Sequence, residues 1–311
     1  MRCLFQGEYV MSNKKKDHLE KAFQEKVVQE LQRYKWEAPE ELNGNTHLVT
    51  VQDLINNWRQ ELNRLNADQL ENVPLTGNEF KQVMQQVNQI ANSYEAAKIL
   101  AMEDSKGKID GIYRDPHPDV TRKQVTLTIF KKAEVAGGDS SYKIAREVTS
   151  PKNGSKGENR FDLILLINGL PLINIEQKRS DKSLDYAFGQ FKRYYEDGEY
   201  QYNFLAFSQM MVCMSEIETR YFATPKSLKD FNPSFVFHWA DKNNVPINDW
   251  KKIIQNFLMI PMAHQMVGDY LVIDESVNPE NRRHMLMRPY QVYALQAVEL
   301  AALGADNKDR I

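Results

Sequence analysis

Two cysteines, Cys3 and Cys213, are all that the chain carries in 311 residues. They lie far apart and match no zinc or disulfide spacing. This excludes a disulfide scaffold or zinc ribbon and predicts a reducing, cytoplasmic setting. No apolar run approaches the roughly 20 residues needed to cross a bilayer, so no membrane partner is expected. The first ten residues, MRCLFQGEYV, have an apolar patch but neither a signal-peptide core nor a cleavage site. Net charge is also scarce: 40 Lys and Arg stand against 42 Asp and Glu, for a formal −2. Any nucleic-acid contact must therefore come from local clusters. No G-x-x-x-x-G-K-[ST] occurs, so the phosphate cradle for ATP is missing and no ATP hydrolysis is expected from this chain alone. Internal repeats and low-complexity tracts are absent too.

What is present is ordinary for a globular protein, with 42% apolar and 26% charged residues. Residues 14–35 read as an amphipathic helix with Leu19, Phe23, Val27, Leu31 and Tyr34 near one face. A second helix is predicted over 50–65 with Thr50 as N-cap, and a third over 77–103. Val125, Leu127 and Ile129 alternate with polar residues as in a half-buried strand. Residues 136–160, rich in Gly, Ser, Lys and Asn, read as a loop. Then follow two near-continuous apolar runs, FDLILLI (161–167) and LPLINI (170–175), which suit strands covered on both faces. Asn168-Gly169 between them is a strong hairpin signal. Helices are predicted at 184–196, 248–260 and 288–303. Strand-like segments occur within 203–223 (FLAF, MMVCM, RYFAT) and at 270–274, and 276–284 reads as a linker. The fold class is α/β, a central mixed sheet with helices around it.

The chemistry concentrates in NRFDLILLINGLPLINIEQKRS, residues 159–180. A carboxylate in so apolar a strand is costly without a partner. Asp162 begins the first strand and Glu176 ends the second, and a hairpin brings these ends together. Glu176 and Lys178 are two apart and share a face. Two carboxylates and an ammonium at one rim suit metal-assisted phosphodiester cleavage. Carboxylate oxygens bind Mg²⁺, the metal stabilises charge on the phosphate, and the lysine orients water or offsets charge. Parity imposes a condition. A plain two-residue turn pairs Asp162 with Ile175 and sends Glu176 to the opposite face, so a three-residue loop or a bulge is required. The plain alternative for such a triplet is a surface ion pair at a strand end; the apolar hairpin argues for a site. Gln190 and Tyr194 follow, four apart on one helix face. Lys178, Arg179, Lys182, Lys192 and Arg193 add local positive charge suited to phosphates. His264 and His284 lack metal-ligand companions, Met210, Met211 and Met214 read as core, and Trp239 and Trp250 as packing residues.

NRFD, INGLPL, IEQK and QFKRY resemble the nuclease domain of type I restriction enzyme R subunits, of the PD-(D/E)xK superfamily. The likeness runs over roughly 15–275 in order of elements, with the specific motifs confined to 159–195. It implies a restriction-endonuclease-like core cutting double-stranded DNA with Mg²⁺. Asp162, Glu176 and Lys178 would be catalytic. Asp162, Glu176 and the main-chain carbonyl of Gln177 would hold the metal; the family usually has an apolar residue at the Gln177 position. Gln190 and Tyr194 would match a Gln-x-x-x-Tyr motif associated with DNA handling, with Lys192 and Arg193 as further DNA contacts. Such nucleases often add an acid from the first helix, for which Glu25 and Glu30 are candidates. Arg288-Pro289-Tyr290-Gln291 resembles the motif that precedes the first RecA-like domain of superfamily 2 helicases, where the Gln reads the adenine of ATP. The implied organisation is a leader at 1–14, a nuclease domain at 15–260, and at 261–311 a linker with the first element of a helicase motor. ATP would act only in the full-length protein, and methyltransferase and specificity subunits would be partners. Two other readings stay open: a non-cleaving DNA-binding or docking module of the same fold, and a repair or recombination nuclease fused to a helicase.

Overall fold

The computed structural model describes residues 18–101, 107–131, 138–152 and 157–308. The expected leader, Cys3, and the ends of the segments predicted at 14–35 and 77–103 lie outside the described residues, as does part of 136–160.

The first described element is helix α1 (18–32), which buries Phe23, Val27, Val28 and Leu31 at three- and four-residue spacing. Leu19, expected on that face, is exposed. A two-residue strand, β1 (Val49–Thr50), leads into α2 (Val51–Leu65). The Asp53 carboxylate accepts from both the N–H and the hydroxyl of Thr50, at 2.8 and 2.7 Å, which fixes the start of the helix. The third predicted helix is two: α3 (Gly77–Val87) and α4 (Ser93–Ala101). Asn92 breaks the run, because its side chain caps the Tyr94 N–H at 3.0 Å. A hairpin of β2 (Lys108–Tyr113) and β3 (Gln124–Thr128) stands apart from the main sheet.

The main sheet holds β1, β4 (Tyr142–Pro151), β5 (Glu158–Ile167), β6 (Leu170–Gln177), β7 (Met210–Met214) and β8 (Thr219–Ala223), in spatial order β1-β4-β5-β6-β7-β8. The β1–β4 and β6–β7 pairs are parallel and the others antiparallel, so the sheet is mixed. The β6–β7 crossover is α5 (Asp185–Glu196), which packs back on both strands. Helix α2 packs on β4 and β6. The architecture is α/β, a central mixed sheet flanked by helices.

Three predictions need correction. The segment 136–160 contains β4, a strand of ten residues. FLAF is a 3-10 turn, Phe204–Phe207, started by Asn203, whose side chain accepts from the Leu205 N–H at 2.9 Å. The linker at 276–284 ends in a strand: β9 (Leu271–Asp274) pairs with β10 (Arg283–Leu286). Between β8 and this hairpin lie α6 (Trp250–Ile253), continued by a π turn at Ile254–Leu258, and α7 (Met262–Val267). The cap of α6 is Asp249, one residue after the expected start. The chain reaches α8 (Pro289–Lys308) with Pro at the first turn.

The residues given packing roles are packed. His264 is buried, stacked on Phe130 and bonded to the Tyr142 hydroxyl at 3.0 Å and the Lys131 carbonyl at 2.9 Å. Met210, Met211, Met214 and Trp239 are buried, and Trp239 stacks on Phe257. His284 is buried too, and burial lowers its pKa to about 4.

Candidate active site

Parity is resolved by a bulge. Asn168 and Gly169 form a two-residue turn, both at positive φ (52° and 78°), between the paired residues Ile167 and Leu170. Both tolerate that conformation. The register then shifts between Leu165 and Leu166, where Leu166 faces Pro171 but Leu165 faces Ile173. Leu172 is the extra residue. Beyond it Leu163 faces Ile175, and one step further the same register sets Asp162 opposite Glu176. The turn is held from outside, since the Asn168 side chain accepts from the Ser141 N–H at 3.0 Å.

Asp162 Oδ2 accepts the N–H of Gln177 at 2.7 Å, which ties the ends of β5 and β6 together. Lys178 Nζ lies 3.5 Å from Glu176 Oε2 and donates to the Gln177 carbonyl at 2.8 Å. Two carboxyls, one ammonium and one peptide carbonyl thus converge. Glu176 is 1% exposed, yet neither of its carboxylate oxygens has a hydrogen-bond partner among the described residues. The Gln177 side-chain amide is buried and unpartnered as well. Such orphaned acceptors are costly unless something fills the site.

The electrostatics agree. Burial raises the Asp162 carboxyl from 3.8 to about 6, against the opposing pull of Lys178. Burial, and then the neighbouring Asp162 charge, push Glu176 well above the usual carboxylate range. Two adjacent buried carboxyls cannot both ionise cheaply without a cation beside them.

Helix α5 closes one side. Gln190 donates to the Tyr194 hydroxyl at 2.5 Å, and Tyr194 donates to the main-chain carbonyl of Arg160. Tyr194 is buried, and burial followed by the Glu176 charge raises its hydroxyl far above the ordinary value. Its bonding is internal, so it positions β5. An open cavity of about 400 Å³ lies here, lined among others by Arg160, Asp162, Gln190, Arg193 and Tyr194. Lys192 is exposed and does not line it.

The two α1 candidates, neither of them placed in the catalytic set, are paired elsewhere. Glu25 pairs with Arg146 at 2.7 Å, and Glu30 with Arg33 at 2.7 Å. The α1 residue that reaches the site is Gln24, which donates to the Glu147 carboxylate at 2.8 Å and to the Asp162 carbonyl at 3.1 Å. Glu147 itself escaped sequence analysis because β4 did. It stands opposite Asp162 between the paired positions Arg146–Leu163 and Val148–Phe161. Its charge adds to the rise in the Asp162 pKa. The alternation in YKIAREV was its one available signal. Among the described residues no three His, Cys, Asp or Glu side chains are gathered closely enough to hold a metal. The oxygen donors at hand are Asp162, Glu176 and the Gln177 carbonyl.

Gln291 lies elsewhere. Its side chain accepts from the Arg288 N–H at 2.8 Å, capping α8, and it lines a different cavity with Phe188, Phe237 and His284.

Comparison with known proteins shows the family of the chain. A family model described as the N terminus of the type I restriction enzyme R protein matches residues 17–230. A type I restriction enzyme endonuclease subunit of Staphylococcus aureus strain MSSA476 is 31% identical over 262 residues, 83% of this chain and 26% of the relative. One from Staphylococcus saprophyticus is 28% identical over 284 residues, 88% of this chain and 27% of the relative. The EcoprrI endonuclease subunit of Escherichia coli is 28% identical over 193 residues, 62% of this chain and 54% of that protein. The chain thus spans about a quarter of the length of the staphylococcal relatives.

Proposed function

The chain belongs to the family of type I restriction enzyme R proteins, matched at its N-terminal part, and from that premise we propose that it is a Mg²⁺-dependent endonuclease domain that hydrolyses phosphodiesters of double-stranded DNA. The observation that carries this reading is Asp162 set opposite Glu176 by the strand register, with both Glu176 oxygens buried without a hydrogen bond and Lys178 beside them as an ion-pair partner.

The donor set fits a hard divalent cation, which prefers oxygen ligands. Asp162, Glu176 and the Gln177 carbonyl would hold it. When bound, the ion supplies stabilisation of charge on the phosphate and acidifies a water. The chain's own residues do the rest. Lys178, between Glu176 and the Gln177 carbonyl, keeps positive charge beside the point of attack and orients the incoming water. Gln190 and Tyr194 fix the strand that carries Asp162. Arg193, at the rim of the cavity, and Lys192, beside it on α5, are placed for backbone phosphates.

The fold is read as a restriction-endonuclease-like core of the PD-(D/E)xK type. In the longer protein, cleavage follows ATP-driven translocation by a helicase motor, in which Gln291 reads adenine once released from its capping bond. Methyltransferase and specificity subunits complete the complex and choose the target. The test is Asp162→Ala in the full-length protein assembled with those subunits. Double-strand cleavage is expected to disappear while ATP hydrolysis persists; cleavage at the original rate would overturn the assignment.

A further inference from the structure

Arg160 lines the cavity beside Asp162 and has no part in the roles given to the carboxylates and Lys178. Arg160 lies on β5 two positions before Asp162, so the two side chains leave the same face of the strand. Its main-chain carbonyl is held by Tyr194 and its side chain by Glu147, with Nε 2.9 Å from Oε2. The closest approach of this ion pair is at Nε, and among the described residues the guanidinium makes no hydrogen bond. The Arg160 side chain is 60% exposed and the Glu147 side chain 9%. The guanidinium is therefore paired with a buried carboxylate while much of it stays exposed.

An ordinary surface ion pair needs none of the supporting detail seen here. Glu147 is buried, is bonded a second time by Gln24, and sits mid-strand at φ +50°, a conformation that residues other than glycine avoid. Strain of this kind persists only where the surroundings over-determine it, and it clusters at functional sites. A phosphate approaching Asp162, Glu176 and Glu147 would meet concentrated negative charge. An arginine in the same cavity offsets this, and its planar fork matches two phosphate oxygens.

We infer that Arg160 grips a backbone phosphate of the DNA beside the reacting phosphodiester, with Glu147 as the positioning residue whose charge pairs with the guanidinium. This rests on the nuclease reading above and adds the residue that seats the substrate.

The experiment measures binding of a fluorescently labelled DNA duplex to the chain by anisotropy, in Ca²⁺ over a range of salt concentrations. Arg160→Ala is expected to weaken binding roughly tenfold or more and to lower the slope of log affinity against log salt by about one phosphate contact. Arg160→Lys should restore the slope but not the affinity, because an ammonium lacks the planar fork that matches two phosphate oxygens. Glu147→Gly relieves the backbone strain, so its melting temperature should hold or rise while binding weakens. Unchanged affinity and slope in Arg160→Ala would overturn the inference. A loss of binding in Glu147→Gly that only accompanies a lower melting temperature would overturn the positioning role. The two readings fail separately. If Asp162→Ala still cuts, the nuclease assignment falls; if it is inactive while Arg160→Ala binds and cuts normally, only the Arg160 inference falls.

Discussion

Asp162 and Glu176 face each other across β5 and β6 because Leu172 is one residue too many for a regular hairpin. A two-residue turn alone would have sent them to opposite faces of the sheet. The consequence is a pair of buried carboxyls beside which, among the described residues, Lys178 is the one ammonium found.

That pair sets a pH dependence with a definite sign. Asp162 is raised from 3.8 to about 6 in the folded protein, and Glu176 is raised further above its ordinary range, in both cases chiefly by burial. Below the unfolded-state values both states hold the protons and there is no penalty. As pH rises from the unfolded-state towards the folded-state values, the unfolded chain sheds its protons first and the folded state loses stability relative to it. In divalent-free buffer, Glu176→Gln should therefore exceed the parent chain in stability increasingly as pH rises above the ordinary glutamate range. Adding Mg²⁺ should raise the melting temperature of the parent, increasingly so toward pH 8, and leave Glu176→Gln almost unmoved. Thermal melts across pH with and without Mg²⁺ check both. A parent chain that is equally stable at pH 5 and pH 8 without Mg²⁺ would contradict the account.

The turn that makes the pair possible is equally exposed to test. Gly169 sits at φ +78°, and a Cβ there would lie 2.8 Å from the Cα of Trp58 on α2. The obstacle is backbone, so it cannot swing aside. Gly169→Ala should cost on the order of 2–4 kcal/mol, combining positive-φ strain with displacement of α2 from the hairpin. Urea titration reads this directly. A midpoint within error of the parent would show that α2 yields easily, and that the hairpin is not pinned from that side.

How far the sequence reaches can be judged from these same elements. The α1 and α2 patterns, the Asn168-Gly169 turn and the need for an irregularity before Glu176 were all legible, because period and parity are local properties. β4 was not. Its core is YKIAREV, but the polar residues on either side dominate any window. Arg146, Glu147, Thr149 and Ser150 look like surface residues and are buried here through tertiary partners such as Glu25, Gln24 and the Val49 carbonyl. With β4 hidden, Glu147 had no position opposite Asp162. Helix period alone also cannot tell whether residue 24 or 25 of α1 faces the site. That depends on how the helix docks on the sheet, and docking places neutral Gln24 there instead of an acid. FLAF is apolar enough for a strand, but Asn203 captures its backbone into a turn first.

The relay from α5 to β5 gives the last prediction. Gln190 donates to Tyr194, and Tyr194 donates to the Arg160 carbonyl. Tyr194→Phe keeps the ring against Phe161 and Phe191 but removes the only group in this relay that reaches β5. It should cost about 1–2 kcal/mol, the usual penalty for a part-buried hydrogen bond left half-made. If Gln190 acts solely by orienting that hydroxyl, Gln190→Ala should cost less, and the double variant should cost no more than Tyr194→Phe alone. Non-additivity of this kind is the signature of one shared interaction. Chemical denaturation of the three variants closes the cycle. Strictly additive losses would mean that Gln190 has a separate task in the cavity, and that the pair is two independent contacts on one helix face.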